Sequence, residues 1–388
     1  MLLITAARLI DGTGAPPLAP GAVLVDGDRI VAVGGRHAPG GAERIDLPGA
    51  TILPGLIDLH VHLSDEGLPD ASVHDDDPPE AWLARMAEHA RRTLAAGVTT
   101  VRDVGGRYHA EFALRRRGGP LPRLVLAGRI VSAPTPGAAS WRGMYREASG
   151  GDDLVRAVRE QLLAGADVIK VMATGAVLAP GSERPDDAQL GEDELRAVVA
   201  AAHAAGRRVA AHAHGIEGIR RAVRAGADTV EHGTDLHRDP GVAREMAARG
   251  TFLVPTLKAL GLIAGGAGVP EAMAAKARER LADRDATFRL ALDAGVPIGM
   301  GTDAATPFNR HGENAQELAL MVALGMRPLD AIVASTGAAA RALGRDDVGV
   351  LAAGRLADLA VWDGDPLAGI RVLERPPRLV LLGGARAG

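Results

Sequence analysis

The chain has 388 residues, with 44 lysines and arginines against 48 aspartates and glutamates, no cysteine and only 2% aromatic residues. A net charge of −4 with dispersed arginines offers no basic stripe for nucleic acid, and so few rings give no base-stacking platform, which leaves small polar or neutral molecules as partners. Without cysteine there is no disulfide framework and no thiolate zinc site, so any metal must be held by histidine, carboxylate or something less ordinary.

The start, MLLITAARLIDGTG, lacks a basic region followed by a long apolar run and a small-residue cleavage site. No uninterrupted apolar stretch elsewhere reaches about 18 residues. A cytoplasmic protein without a membrane partner is expected. The first fifty or so residues alternate short β-like runs with turns: LLITAARLI, DGTG, GAVLVDGDRIVAVG and ERIDLPGATILPG. Asp-Gly pairs between apolar runs are hairpin signals. The last forty or so residues have the same texture, in ADLAVWDGDP and PRLVLLGGARAG. Residues 1–53 and 347–388 are therefore expected to form a small β-sandwich domain.

Residues 54–346 follow a repeated beat of apolar strand, loop and Ala-rich helix. The strand candidates are 56–62, 98–105, 123–128, 168–174, 208–215, 229–234, 251–257 and 297–304, eight in all. Several follow the same helix ending, as in LAAGVTTV, LLAGADVIK, VRAGADTV and LDAGVPIGM. Glycine after an Ala-rich helix is a C-cap signal, and eight such units predict an α/β fold, a (β/α)8 TIM barrel whose chemistry sits at the C-terminal ends of its strands.

The unusual residues cluster at those ends. The first barrel strand ends in His60-Val61-His62, and side chains at i and i+2 of a strand point the same way, so both imidazoles can bracket one cation. The fifth ends in His212-Ala213-His214, the sixth holds Glu231-His232-Gly233 and the eighth ends in Thr302-Asp303. The fourth, VIKVMATG, places Lys170 among apolar residues in a chain with three lysines and 41 arginines. An unpaired ammonium there is costly enough that it pairs, deprotonates or is chemically changed. Strand period leaves His212 and His214 equivalent as ligands. The remaining histidines read as surface residues: His89 and His203 in helical patterns, His37 in an early turn, and His74, His109 and His237 in polar loops. The run from His74 to Asp77 reads as a solvated loop or a lid. Arg102 and Asp103 are placed at the rim, paired with each other or touching substrate.

These residues in this order resemble the amidohydrolase superfamily, specifically its imidazolonepropionase-like group that includes metal-dependent Xaa-Pro dipeptidases. The likeness runs from LPGLIDLHVHL through AGVTTVRDVGG, VIKVMATG, RVAAHAHG, TVEHGT and GTDA to GVLAAGRLADLAVWDGDPL. It implies that Lys170 is carboxylated on its ε-amine and bridges two divalent metal ions, zinc for preference. Arginine cannot replace it, since its guanidinium stays protonated. The resemblance further implies that His60, His62 and Asp303 hold the more buried ion and His212 and His232 the more exposed one. His214 becomes a substrate contact, Asp303 the general acid/base, and the protein a homo-oligomer.

The implied reaction is hydrolysis of an amide or peptide C–N bond in a dipeptide, N-acyl amino acid or similar molecule. Dipeptidase-like members carry a Gly-Gly-His loop after the third strand, where this chain reads VSAPTPGAASWRGMYREASG. Arg142 or Arg146 there would pair with a substrate carboxylate, and His311 would reach the mouth. The alternatives are a mononuclear cyclic amidohydrolase or deaminase, an esterase, lactonase or phosphotriesterase on the same barrel, and a silent scaffold. A deaminase would place a glutamate close after the fifth-strand histidine, where this chain has His-Ala-His-Gly. A scaffold would have lost ligands.

Overall fold

A computed structural model describes residues 1–35 and 40–387; His37 lies outside the described residues. The two β-rich ends meet. Glu43–Pro54 is long enough to take partners on both edges: its first part pairs in parallel with Leu2–Leu9, and its end pairs antiparallel with Leu359–Asp363. With Gly21–Asp26, Arg29–Val33, Leu379–Leu382 and Ala385–Arg386 they make one continuous seven-stranded sheet. Alternation sets its faces: Ile4, Val23, Val25, Ile52, Leu359 and Val361 share one apolar cluster, while Leu3, Ala22 and Leu24 pack in another.

Between the ends the chain is mixed α/β, with parallel strands and Ala-rich helices. Leu56–Val61, Val98–Asp103 and Arg123–Leu126 form one parallel sheet. The second runs in the order Phe252–Val254, Thr229–His232, Arg208–Ala213, Val168–Met172, Ile130–Ser132 and Tyr145–Glu147. Seven of the eight predicted strands are present among the described residues. The predicted third strand stops at Leu126, because the chain turns at Gly128 with φ 75°, and the unpredicted Ile130–Ser132 lies beside the Lys170 strand.

The predicted eighth strand, 297–304, is not a regular strand. It forms single bridges, Ile298 to Leu253 and Ala304 to Val61. Pro297 has no N–H to give, and two glycines let neighbours come close. A Cβ at Gly299 would sit 2.4 Å from Leu59, and one at Gly301 would sit 2.4 Å from Val254 and 2.8 Å from the Cβ of His60. Backbone bonds still run from Gly299 N to Leu253 O, from Leu59 N to Met300 O and from Asp303 N to His60 O, so the segment lies between the first and last parallel strands.

The helix endings behave as the sequence predicts: Gly165 and Gly226 cap their helices at φ 107° and 94°, where a Cβ would be strained. The terminal sheet is pinned to the rest through Trp362, whose ring fills the space a side chain at Gly97 would need, and through Arg123, which binds Asp358 at 2.5 and 2.9 Å. No described helix is long and apolar enough to cross a membrane.

Candidate metal centre

The structure brings His60, His62, Lys170, His212, His214, His232 and Asp303 to one cavity of about 530 Å3. His60, Lys170, His212 and His232 come from the interiors or last residues of parallel strands, His62 and His214 directly follow one, and Asp303 directly precedes the bridge at Ala304. The imidazoles pack ring to ring: His232 lies 5.0 Å from His60, 4.6 Å from His212 and 4.7 Å from His214, centroid to centroid. Asp303 Oδ1 is 3.5 Å from Nε2 of both His60 and His62. Two sets of side chains could each hold a cation, His60 with His232 and Asp303, and His212 with His214 and His232.

Each histidine is oriented by its far nitrogen, which leaves the near one free to face the cluster. His60 Nδ1 meets Glu231 Oε2 at 2.7 Å, His62 Nδ1 meets the Gly105 carbonyl at 3.0 Å and His232 Nδ1 meets Thr256 Oγ1 at 2.7 Å. His214 Nδ1 meets Thr234 Oγ1 at 3.1 Å, whereas His212 uses Nε2, 3.1 Å from the Gly175 carbonyl. His232 and Asp303 have left-handed backbones, φ 68° and 58°, which non-glycine residues adopt when the surroundings hold them there.

Burial and mutual repulsion favour the neutral form of His60, His212, His214 and His232, whereas at His62 burial is outweighed by Asp303 and the ring is raised above the usual range. Burial pushes His60 down to about 4 and His214 to about 3, and holds His212 and His232 far below the usual histidine range. Neutral imidazole is the form that binds a metal. Burial also lowers Lys170 to about 8, against the opposing pull of Glu231. Its Nζ is buried with no hydrogen-bond partner among the described residues. Asp303 goes the other way: burial alone would raise its carboxyl, but His60 and His62 outweigh it and keep it below the usual range.

Three groups that the sequence did not single out support the cluster. Glu231 is buried between His60, Thr229 and Arg102, whose Nη2 lies 2.8 Å away. Asp58 accepts from His60 N, Thr302 N, Thr302 Oγ1 and Asn314 Nδ2, tying the first strand to the segment that ends in Asp303. Tyr145 lines the cavity. Glu231 and Asp58 each stand within two residues of a histidine in the motifs, which was the available sign.

Several expectations are corrected. Arg102 is not at the rim and does not pair with Asp103: its Nε donates to the Leu59 carbonyl at 2.5 Å, its other nitrogens to Thr229 and Glu231, and Asp103 accepts from Leu63 N and Gly105 N. Arg142 does not line the cavity; it is 55% exposed and turned to Asp76 at 3.3 Å, where a guanidinium keeps its hydration. Arg146 likewise binds Glu160 at 2.7 Å and Asp153 at 3.1 Å. His311 does not reach the cavity lining either. It is buried, with Nε2 3.0 Å from the Asp65 carbonyl and its ring stacked 4.6 Å from His89, so His89 is not a surface residue. The loop from His74 to Asp77 is docked by His74 to Glu66, Asp75 to Arg107 and Asp77 to Arg85.

The profile of the family described as Amidohydrolase family matches residues 51–385. Ochratoxinase of Aspergillus niger is 31% identical to the chain over 412 aligned positions, covering 96% of the chain and 83% of that protein. Among solved structures, a Xaa-Pro dipeptidase with methionine bound in its active site superposes with a TM-score of 0.89 at 32% identity, over 99% of both chains. A prolidase complexed with N-methylphosphonate-L-proline superposes with a TM-score of 0.90 at 30% identity, over 99% of this chain and 98% of that one.

Proposed function

The chain belongs to the amidohydrolase family, and on that premise we propose that it is a metal-dependent hydrolase of amide or peptide C–N bonds with a binuclear centre. The observation that carries the reading is the Lys170 amine, buried without a partner among imidazoles, four of them held neutral by burial, and one carboxylate. Such an amine adds to CO2, losing a proton and becoming a carbamate anion with two oxygens to offer. His60, His62 and Asp303 would hold one ion, His212 and His232 the other, and carboxylated Lys170 would bridge them. An imidazole-rich set suits Zn2+. The reading also takes residues 54–346 as a closed (β/α)8 barrel, joined through the bridges at Ile298 and Ala304, with 1–53 and 347–388 as a separate β domain.

When bound, two divalent cations acidify a water and polarise a scissile carbonyl. The chain supplies the rest. Asp303 is held ionised by His60 and His62 through Oδ1, and Oδ2 has no hydrogen-bond partner among the described residues. It would take the proton of the attacking water at Oδ2 and deliver it to the departing nitrogen, so that the C–N bond breaks with a neutral amine leaving. Glu231 fixes the ring of His60 through Nδ1 and keeps its Nε2 aimed at the cluster. His214, stacked on His232, would touch substrate.

The test is metal content together with hydrolysis of a library of dipeptides, N-acyl amino acids and neutral amides. About two metals per chain with turnover is expected, and one metal with deaminase activity would overturn the reading. Lys170→Arg should lose metal and activity, and a Lys170→Arg protein that keeps two metals would show the carbamate to be wrong.

A further inference from the structure

The cavity has two unlike halves. Its floor is the cluster of His, Lys and Asp side chains, and its wall is apolar, with Trp141, Met144, Val177, Leu178, Leu260 and Ile263 converging from three separate segments. Trp141 packs against both wall clusters, so the loop 133–144 is joined through it to the helices Leu257–Gly265 and Glu271–Asp293.

What the wall lacks is a cation. Lys170 is the only lysine or arginine that lines the cavity among the described residues. Basic side chains of the surrounding segments are committed to acidic or carbonyl partners, Arg129 to the backbone carbonyl of Tyr145. Arg107 binds Asp65 at 2.6 Å and Asp75 at 2.5 Å, and Arg280 binds Asp235 at 2.5 Å and Asp186 at 2.6 Å. Lys258 binds Glu313 at 3.1 Å, Lys276 donates to the carbonyls of Ala179 and Glu183, and Arg142 faces Asp76. Outside the floor, the other charged lining residues are Asp65, which is paired with Arg107, and Asp70, whose carboxylate repels an anion. A substrate carboxylate held away from the floor would leave water for an apolar wall without a partner, which is strongly unfavourable. Tyr145, among the lining residues, offers a neutral hydroxyl suited to a neutral polar atom.

Resting on the hydrolase reading above, we propose that the substrates are neutral amides whose flanking groups are apolar, aryl or branched alkyl, and carry no carboxylate. This separates the chain from an enzyme built around the free carboxylate of a dipeptide or N-acyl amino acid.

The experiment uses matched pairs that differ only by that carboxylate: 1-benzoylpyrrolidine against N-benzoylproline, and N-phenethylbenzamide against N-benzoylphenylalanine. Hydrolysis is followed with the metal-loaded protein, and binding of the same four compounds is followed by calorimetry. The neutral member of each pair should have a kcat/KM and an affinity at least about tenfold higher, the size expected for leaving one charged group unpaired. Trp141→Arg, which puts a guanidinium in the wall, should narrow or reverse the preference. Equal or better hydrolysis of the carboxylated members overturns the proposal and leaves the hydrolase reading intact. Tighter binding of the neutral members without turnover of any compound supports the pocket assignment and overturns the hydrolase reading. Equal binding without turnover overturns both.

Discussion

Arg102→Met tests the physical account of the centre without touching a proposed ligand. Arg102 is 1% exposed and Glu231 is fully buried. The substitution keeps apolar bulk but deletes three donations: to the Leu59 carbonyl at 2.5 Å, to Thr229 Oγ1 at 3.1 Å and to the Glu231 carboxylate at 2.8 Å. Burial alone would raise the Glu231 carboxyl, and the Arg102 guanidinium is the largest influence holding it below its usual range. Removing one partner of a buried ion pair costs roughly 3–5 kcal/mol, because the other charge is left without compensation. Equilibrium urea unfolding of the metal-free protein should show a loss of that size. The double variant Arg102→Met/Glu231→Gln should recover more than half of it, since no unpaired charge remains. Metal affinity should fall as well, by about 10–100-fold, because Glu231 would no longer be anchored behind His60. A stability loss below about 1 kcal/mol, or a double variant no more stable than the single one, would refute the reasoning.

Gly301→Ala places a Cβ 2.8 Å from that of His60, so it should weaken metal binding while far-UV circular dichroism stays unchanged; unchanged affinity would mean that the first strand can shift freely. Glu111 is buried with both carboxyl oxygens unpartnered, and burial, reinforced by Asp103, raises it to about 8. The fold therefore favours its protonated form, a contribution that is whole below pH ~4.5 and is lost as pH rises to about 8. The slope is roughly 1.4 kcal/mol per pH unit over that window. Glu111→Gln should remove this slope from the pH profile of urea unfolding, and parallel profiles would contradict the assignment. Stripping the metals with a chelator should lower the Tm, and re-adding zinc at about 100 times its Kd should restore roughly 2.7 kcal/mol; a Tm indifferent to metal would count against a centre built into the fold.

The parts of the site that were legible in the sequence share one property: they rest on strand period. His60 with His62, and His212 with His214, point the same way because alternate residues must, and the orphaned Lys170 stood out because an ammonium has no ordinary place in VIKVMATG. Glu231 and Asp58 went unassigned because a carboxylate in a strand announces nothing until its partners, Arg102 and Asn314, arrive from distant parts of the chain. Arg142 and His311 failed in opposite directions. The arginine stays with water and Asp76, while the histidine is drawn inside against His89. The predicted eighth strand was misread as regular because close contact with Leu59 and Val254, which only glycine permits, leaves no periodic pattern of side chains to detect.

The terminal sheet sets a condition on how the protein is made. Glu43–Pro54 finds one partner in the preceding Leu2–Leu9, but its other edge waits for Leu359–Asp363, with Ala50 opposite Asp363 and Pro54 opposite Leu359. Until Leu359–Asp363 has been synthesised, that edge offers unpaired N–H and C=O groups to any passing strand. A ribosome stalled late, or a chain cut before Trp362, would thus release a protein with its metal-site residues synthesised and a sticky flank. The segment Leu359–Asp363 contributes no proposed ligand, yet it is what covers that edge.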